Sequence, residues 1–553
     1  MALIDRRIGF LFAAFLVFLA LAFMRAGWLG VVRADELKQA ATVQQEAILA
    51  VPARRGTVTD AHGKALAVSE PATTVSATPY LVEDPARAAA RLAPLLGRPE
   101  DELLRKLSQR DTGFVYLARR VPAGRAQRVR ELNIAGIEFI DEYRRTYPRG
   151  WNASQVIGTV GDEGRGLAGL EYSLENSLRG SDGRRRVVKD ARGLPVSLRD
   201  PRPARAGKDV QLTLDSNIQE HTEDVLAKIG RDWKPKGATA LVMDPRDGSI
   251  LALANWPRVD ANRLGDAPDY AKENRAVSSA YEPGSTFKAF TVAGAMEDGK
   301  VTPQTSFPLP PTLQVADREI RESHVRGFET MTTGEILAGS SNVGAVKIGL
   351  LQGRKRFHHW LGRLGFGRAT GVDMPGEAEG IVLPLSKYTG STMGNLPLGQ
   401  GIAVTPMQMA AAYSAIANGG ILRPPRIVGA VGGRPTGPRP GRRVLSPETA
   451  RSVSRMLEGV FGPGGTASGA QVKGYVMAGK TGTAQKPDPV NGGYSSEKYV
   501  ASFVGFAPAR DPRLLVTVMV DEPQGEIYGG LIAAPAFKEI TSFALNYLQI
   551  PPE

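Results

Sequence analysis

The feature that most constrains this fold is a single apolar run near the N-terminus. Ile8–Val32 contains one charged residue, Arg25, and is long enough to cross the roughly 30 Å hydrocarbon core of a membrane as a helix. Arg6 and Arg7 precede the run, so the positive-inside rule predicts that residues 1–7 are a cytoplasmic tail. A cleaved signal peptide is the alternative, but its apolar core is normally only about 7–15 residues long. The sequence therefore predicts one uncleaved membrane anchor, with the rest of the chain outside the cytoplasm.

Composition narrows the class of the remaining chain. Of the 553 residues, 42% are apolar and 23% are charged, which is typical of globular domains and excludes a disordered chain, a coiled coil or a polytopic membrane protein. The absence of cysteine excludes disulfides, thiolate nucleophiles and cysteine-bound metals. The net charge of +13 comes without a dense basic stripe interleaved with aromatics, so nucleic-acid binding is not predicted. This positive charge fits better with a protein surface that faces an anionic membrane or an anionic cell-wall polymer.

Turn signals divide the extracytoplasmic part into two domains. After a juxtamembrane linker at residues 33–50, residues 51–205 contain a predicted hairpin near Gly63 and two amphipathic helices, Ala86–Leu96 and Glu100–Gln109. The segment 201–204, Pro-Arg-Pro-Ala, interrupts regular structure and marks the boundary to the second domain, residues 206–553.

The second domain is predicted to be α+β, with an antiparallel sheet built from both ends of its sequence and a helical insertion between them. A helix ending near Ile229 should be capped by Ser216 or Asn217, and a closing helix should cover Ala534–Leu548. The predicted strands are Asp209–Leu214, Ala238–Met243, Ser249–Ala254, Tyr475–Ala478, Val500–Phe506 and Leu514–Val520.

The first motif with chemical potential is Ser285-Thr286-Phe287-Lys288, which follows a Pro-Gly turn. Residues i and i+3 of a helix share a face, so the Lys288 amine can reach the Ser285 hydroxyl. Serine is a poor nucleophile until a base removes its proton, and lysine is such a base only when burial or a second cation lowers its pKa. Taken alone, this spacing also occurs by chance on surface helices.

The second motif is Ser340-Ser341-Asn342, between two apolar stretches. Its functional interpretation makes the Ser340 hydroxyl a proton relay and the Asn342 amide a hydrogen-bonding group for a peptide substrate. Its structural interpretation is a polar helix cap.

The third motif is Lys480-Thr481-Gly482-Thr483, in an extended segment. Alternation along a strand puts Lys480 and Gly482 on one face and both threonines on the other. Gly482 allows a ligand backbone to lie close, while a cation and hydroxyls at a strand edge suit an extended peptide that ends in a carboxylate. A solvated edge strand is the alternative for this motif alone.

The three motifs in this order are very improbable by chance, and together they resemble the class B penicillin-binding proteins, specifically the FtsI-like division transpeptidases. The resemblance extends to the first domain, where residues 55–60, 145–148 and 169–171 are similar to motifs of the family's pedestal domain. It also includes Leu398-Gly399-Gln400-Gly401 and Tyr528-Gly529-Gly530. Asn342 matches the division-type enzymes.

The resemblance implies a peptidoglycan D,D-transpeptidase that forms a serine acyl-enzyme and is a target of β-lactams. Ser285 would attack the carbonyl between the terminal D-alanines of a stem peptide, with Lys288 as base and Ser340 as proton relay to the leaving amine. Asn342, Lys480, Thr481, Gly482 and Thr483 would bind the substrate, and the N–H groups of Ser285 and Thr483 would form the oxyanion hole. No cofactor and no metal are implied.

The family also implies a location and partners. The catalytic domain would be periplasmic, anchored by a single pass in the cytoplasmic membrane at the division septum, together with an FtsW-like glycan polymerase and other division proteins. Three alternatives remain open at this stage: an elongation-type transpeptidase, a D,D-carboxypeptidase or β-lactamase-like hydrolase, and a non-enzymatic scaffold.

Overall fold

The computed structural model describes residues 2–35, 46–189, 195–489 and 491–553. These fall into two compact units whose segments alternate along the chain. The first comprises residues 1–54, 71–143 and 180–207, and the second comprises residues 55–70, 144–179 and 208–553. The predicted boundaries of the tail, anchor, linker and two domains stay a prediction, and residues 36–45 of the predicted linker lie outside the described residues.

The N-terminal run forms the helix Ala2–Gly27, continued by a π-helical turn at Trp28–Val32. Arg6–Val32 is an apolar stretch of 27 residues, and none of the residues that the structure describes buries its most apolar part. At about 1.5 Å per residue it extends for about 40 Å, enough to cross a membrane. The predicted N-terminal apolar helix is therefore confirmed.

The first unit is a small α+β body built around two helices. Asp84 caps the helix Pro85–Leu96 by accepting the Arg87 N–H at 3.0 Å, and Gly97, at φ +63°, ends it. The leucines of this helix and of Glu100–Leu107 pack with Val75 and Leu117 into one core. Both predicted helices are thus confirmed. Besides the N-terminal helix, the unit contains the helix Ala123–Arg130 and the strands Glu46–Val51, Val115–Pro122, Gly183–Lys189 and Pro195–Arg202. Two more strands, Ala65–Ala77 and Ile137–Thr146, belong to it only in part, because residues 65–70 and 144–146 are in the second unit.

In the second unit, the three pedestal-like motifs meet at one buried carboxylate. Glu171 is fully buried and accepts from Arg55 Nε and Arg145 Nε, both at 2.6 Å. A second Arg55 nitrogen donates to Glu175 at 2.6 Å, and Arg145 also donates to the Gly56 carbonyl at 2.8 Å. Segments separated by more than a hundred residues are therefore joined by buried, charge-assisted hydrogen bonds.

A five-stranded antiparallel sheet forms the centre of the second unit. The order across the sheet is Ile250–Trp256, Gly237–Met243, Leu514–Asp521, Tyr494–Ala507 and Ala478–Pro487. Alternate side chains pack on opposite faces, against the helices Ser216–Trp233 and Gly529–Tyr547 on one face and Pro406–Ala417 on the other. The predicted antiparallel sheet is confirmed, but the predicted strand Tyr475–Ala478 is wrong, because the edge strand begins at Ala478 and runs through the third motif to Pro487. The cap of the first helix is Asp215, not Ser216 or Asn217, because its carboxylate accepts the N–H groups of Asn217 and Ile218.

A helical part is inserted between the two halves of this sheet, as predicted. Its helices are Lys288–Glu297, Thr333–Ala338, Asn342–Gln352, Arg354–Arg363, Pro406–Ala417 and Pro447–Glu458. Short helices lie at Ser154–Ile157, Gly169–Ser173, Glu175–Leu178, Asp269–Lys272, Arg275–Ser278 and Thr392–Asn395. Short strands lie at Val58–Thr59, Val210–Leu212, Ser306–Leu309, Thr312–Val315, Arg318–Arg321, Glu329–Thr332, Ile421–Leu422, Val428–Val431, Arg434–Pro435 and Arg442–Arg443. The fold is therefore α+β, with sheets flanked by helices.

Candidate active site

Ser285 lies on a tight turn at the start of a buried helix. Gly284 has φ +55°, which favours glycine, and the 3-10 turn Gly284–Phe287 leads directly into the helix Lys288–Glu297. The Gly284 N–H donates to the Gly399 carbonyl at 3.0 Å, and a Cβ on Gly399 would lie only 2.3 Å from the Gly284 oxygen. The turn that carries the serine is therefore held by the predicted 398–401 motif.

Lys288 connects the first motif to the second. Its side chain is buried, and Nζ donates to the Ser340 carbonyl at 2.6 Å, to Asn342 Oδ1 at 2.7 Å and to Ser340 Oγ at 3.3 Å. Burial lowers the Lys288 pKa to about 7, while the nearby Glu322 carboxylate opposes this and Arg326 adds to it. An amine with this pKa is largely available as a base near neutral pH.

The second motif has an unusual backbone that its sequence does not reveal. Ser340 has φ +61°, a left-handed conformation that is uncommon for residues other than glycine. The following Ser341 caps the helix Asn342–Gln352 by accepting the Gly344 N–H at 2.9 Å. The capping interpretation and the functional interpretation therefore apply to different serines of the same motif.

Glu322 is a functional candidate that the sequence reasoning missed. Its carboxylate accepts the Ser341 hydroxyl at 2.5 Å, the Asn342 N–H at 2.7 Å and the Val343 N–H at 3.2 Å. It therefore fixes the start of the helix that presents Asn342 to Lys288. No spacing rule relates Glu322 to residues twenty positions later, so only the folded chain identifies it.

The third motif lies at one edge of the central sheet. Lys480 is fully buried, and its pKa is lowered well below the usual value, first by burial and then by the charge of Lys288. Thr481 Oγ1 lies 2.7 Å from Thr466 Oγ1, and Thr483 Oγ1 accepts the Gly529 N–H at 3.0 Å. The two lysines are thus close enough to influence each other electrostatically.

Gly482 has a packing role in addition to the predicted one. A Cβ at this position would lie 2.5 Å from Ser502 Oγ and 2.9 Å from both the Pro283 carbonyl and Thr286 Cγ2. The turn that carries Ser285 therefore packs closely against the backbone of Gly482. A role of Gly482 in substrate binding stays a prediction.

The motifs surround one open cavity of about 670 Å³. It is lined by the predicted residues Ser285, Ser340, Asn342, Thr481 and Thr483. The sequence reasoning did not assign to it Ser323, His324, Thr466, Ala467, Ser468, Gly469, Ala470, Leu531 and Pro535, which also line it. The His324 ring lies 6.2 Å from the ring of Tyr528, another lining residue.

Comparisons with known proteins agree with this geometry. The penicillin-binding protein dimerisation domain matches residues 50–212, and the penicillin-binding protein transpeptidase domain matches residues 238–542. The probable peptidoglycan D,D-transpeptidase PenA of Neisseria gonorrhoeae is 36% identical over 554 residues, covering 99% of this chain and 94% of its own. The peptidoglycan D,D-transpeptidase FtsI of Escherichia coli K12 is 33% identical, covering 97% and 91%.

Solved structures give the same result. Penicillin-binding protein 3 of Mycobacterium tuberculosis, complexed with ampicillin, superimposes with a TM-score of 0.72 at 30% identity, covering 91% of this chain and 97% of that one. Penicillin-binding protein 2X of Streptococcus thermophilus gives a TM-score of 0.77 at 26% identity, covering 90% and 80%. The sequence, the fold and the motif geometry lead to one conclusion: the chain belongs to the class B penicillin-binding proteins and is a peptidoglycan D,D-transpeptidase.

Proposed function

We propose that the enzyme cross-links stem peptides through an acyl-enzyme on Ser285. Lys288 takes the hydroxyl proton as Ser285 Oγ attacks the carbonyl of the penultimate D-alanine. The peptide C–N bond breaks, Ser340 passes a proton to the leaving amine of the terminal D-alanine, and an ester remains on Ser285. The amine of a neighbouring stem peptide then displaces the ester, which forms the cross-link and restores the serine hydroxyl.

One observation supports this assignment above the others. The Lys288 amine is buried, has a pKa of about 7 and contacts both Ser340 and Asn342. A lysine in this state is suited to removing a proton, whereas a fully charged surface lysine is not.

The substrate would lie along the sheet edge. In this proposal Lys480, Thr481 and Thr483 bind the terminal carboxylate, Asn342 binds the peptide and Gly482 leaves room at the strand. The N–H groups of Ser285 and Thr483 stabilise the developing oxyanion. The edge position of the strand Ala478–Pro487 supports this arrangement, because an extended peptide pairs with an open strand edge.

Labelling with a fluorescent penicillin, followed by peptide mapping, tests the nucleophile. We expect the adduct on Ser285 and complete loss of labelling in Ser285→Ala, because the variant lacks the attacking oxygen but loses little packing. Ser323→Ala, in the same cavity, is the matched control and should label like the wild type. An adduct on Ser340 would overturn the assignment, and the absence of any adduct would favour a non-enzymatic scaffold.

We further propose that the enzyme acts at the division septum. Asn342 and the similarity to the E. coli FtsI protein support a division role, and the apolar helix Arg6–Val32 supports a single-pass anchor with a periplasmic catalytic domain. An FtsW-like glycan polymerase is the proposed partner of that helix. A fluorescent fusion should concentrate at the septum, whereas even side-wall localisation would favour an elongation enzyme.

Truncation tests the role of the anchor. A chain that begins at about Val51 should still be acylated by penicillin, because all three motifs follow residue 206. The same chain should fail to support division in cells. Full complementation would contradict the partner role of the helix.

A further inference from the structure

A second cavity in the same unit, of about 240 Å³, shares no lining residue with the active site. It lies after the helix Arg354–Arg363, beside the helix Pro406–Ala417 and the short pairing of Ile421–Leu422 with Arg442–Arg443. Its lining residues are Leu364, Gly365, Arg368, Ala369, Thr370, Gln408, Ala411, Leu422, Arg423, Pro424, Pro440 and Arg442. Apolar residues and three arginines therefore line this open cavity, with Arg368 and Arg442 exposed to solvent, and its lining contains no carboxylate.

The arginines of this cavity differ in their partners from other arginines nearby. Arg368 donates to the Gly362 carbonyl at 2.9 Å and Arg423 to the Arg439 carbonyl at 3.4 Å, so both are oriented by main-chain oxygens that carry no net charge. The Arg442 guanidinium makes no hydrogen bond or ion pair to the residues that the structure describes, although its main chain pairs with Leu422. By contrast, neighbouring arginines are neutralised, as the pairs Arg356–Asp298, Arg426–Asp247 and Arg439–Asp373 show.

The positive charges of the cavity repel one another. The Arg442 pKa is lowered by burial and then by the charges of Arg368, which also lines the cavity, and of Arg363, which does not. Of two acids near the cavity, Asp373 pairs with Arg439, whereas Glu377 accepts from the neutral groups of Thr370 and from the Gly371 N–H at 3.0 Å and keeps its charge. Three arginines beside one carboxylate leave the cavity with a net positive charge that a bound anion would relieve.

We propose that this cavity is a binding site for the phosphate group of a phosphate ester. The planar guanidinium group donates paired hydrogen bonds that match phosphate oxygens, and several arginines suit an anion with more than one charged oxygen. The walls formed by Leu364, Leu422, Pro424 and Pro440 would contact the organic part of the ester. The phosphate could come from a soluble monoester or from a lipid headgroup.

Calorimetric titration of the full-length protein in dodecyl maltoside tests the proposal. The probes are inorganic phosphate, glycerol 1-phosphate and dihexanoyl phosphatidylglycerol below its micellar concentration, with the zwitterionic dihexanoyl phosphatidylcholine as comparison. We expect a phosphate probe to bind, with affinity that falls as sodium chloride is added. Tighter binding of glycerol 1-phosphate identifies a soluble monoester as the source, and tighter binding of phosphatidylglycerol identifies a lipid headgroup.

A double variant tests whether the phosphate probes bind in this cavity. Arg368→Gln with Arg442→Gln should weaken binding at least about tenfold, because two cations are lost. The matched control is Arg451→Gln with Arg455→Gln, which removes two exposed arginines of the helix Pro447–Glu458 and should change the affinity less than about twofold. Both variants should be acylated by penicillin like the wild type, which also verifies that they fold.

Two results would overturn the proposal. One is no binding of any phosphate probe up to about 10 mM at low salt. The other is equal affinity of the wild type and the double variant. If the double variant fails to fold, Arg442→Gln alone replaces it, because the Arg442 guanidinium makes no hydrogen bond or ion pair to the described residues, so the substitution removes a charge without removing such a bond. Acylation is measured separately, so failure here leaves the assignment of Ser285 unaffected.

Discussion

Two sets of buried charges in the second unit are arranged in opposite ways. In the first, Glu171 lies between Arg55 and Arg145 with both nitrogen–oxygen distances at 2.6 Å. In the second, Lys288 and Lys480 are equally buried, yet their amines contact hydroxyl, amide and carbonyl oxygens and no carboxylate of the described residues.

The difference distinguishes charged groups that stabilise the fold from ionisable groups that are suited to chemistry. A buried ion pair keeps both partners charged and joins chain segments, and breaking it leaves an uncompensated charge. A buried amine without a counter-charge favours the neutral form, which a base requires. Burial alone therefore does not distinguish these two sets of groups, whereas the presence or absence of a paired opposite charge does.

Replacing the unpaired lysine should have the largest effect. Lys288→Met removes the base while keeping an unbranched side chain of similar length, so the second-order rate of acylation by penicillin should fall about a hundredfold to ten-thousandfold. The free energy of unfolding should not decrease, because a buried amine is replaced by an apolar group.

The matched control for this variant is Lys300→Met, which makes the same change at an exposed position just after the same helix. It should be acylated at the rate of the wild type. If Lys288→Met retained more than about a tenth of the wild-type rate, another group would have to be the base.

Replacing the paired carboxylate should show the opposite pattern. Glu171→Gln leaves Arg55 and Arg145 with less compensation in a buried site, so denaturant unfolding should report a loss of about 3–5 kcal/mol. Acylation of the folded protein should be unchanged. Glu163→Gln, at an exposed residue 3.9 Å from Arg165, should alter neither quantity. A large loss of acylation in a folded Glu171→Gln protein would contradict the comparison.

Thr483→Val tests the proposed binding of the terminal carboxylate by Lys480, Thr481 and Thr483, and it should have an intermediate effect. A hydrogen bond to a charged group is worth about 1.5–3 kcal/mol, so its loss should lower kcat/KM for acylation about tenfold to a hundredfold. The variant also removes the acceptor of the Gly529 N–H, and that structural loss affects every ligand equally.

A substrate analogue with an amidated terminus distinguishes these two losses. It never forms the charge-assisted bond, so its penalty in Thr483→Val should be much smaller than that of the free carboxylate. Equal penalties for both ligands would show that Thr483 only shapes the strand.

The sequence predicted those parts of the fold and site that depend on local pattern. Alternation and turn residues located four of the five strands of the central sheet, all except the edge strand Ala478–Pro487, and the three motifs identified five residues that line one cavity. Glu322, the left-handed Ser340 and the packing role of Gly482 were not predicted, because each depends on contacts between distant segments. The sequence left open whether burial or a second cation lowers the Lys288 pKa, and in the structure burial is the main cause, with a smaller contribution from the charge of Arg326.

The smallest predicted effect concerns Glu322, whose negative charge lies near Lys288. Because the base must be neutral, acylation of the wild type should rise with pH, with a midpoint of about 7 set by the Lys288 pKa, and then reach a plateau at higher pH. The Glu322 charge raises that pKa, so Glu322→Gln should move the midpoint of the pH profile to lower pH. Its plateau should fall modestly, because the amide replaces one acceptor of the Asn342 and Val343 N–H groups.

The control is Glu319→Gln, an exposed carboxylate paired with Arg321, which should leave the midpoint unchanged. A midpoint that stays in place in Glu322→Gln while the plateau falls would mean that Glu322 only holds the helix Asn342–Gln352. A midpoint that moves down would mean that one carboxylate, placed near an amine without being paired to it, sets how much of the base is available at neutral pH.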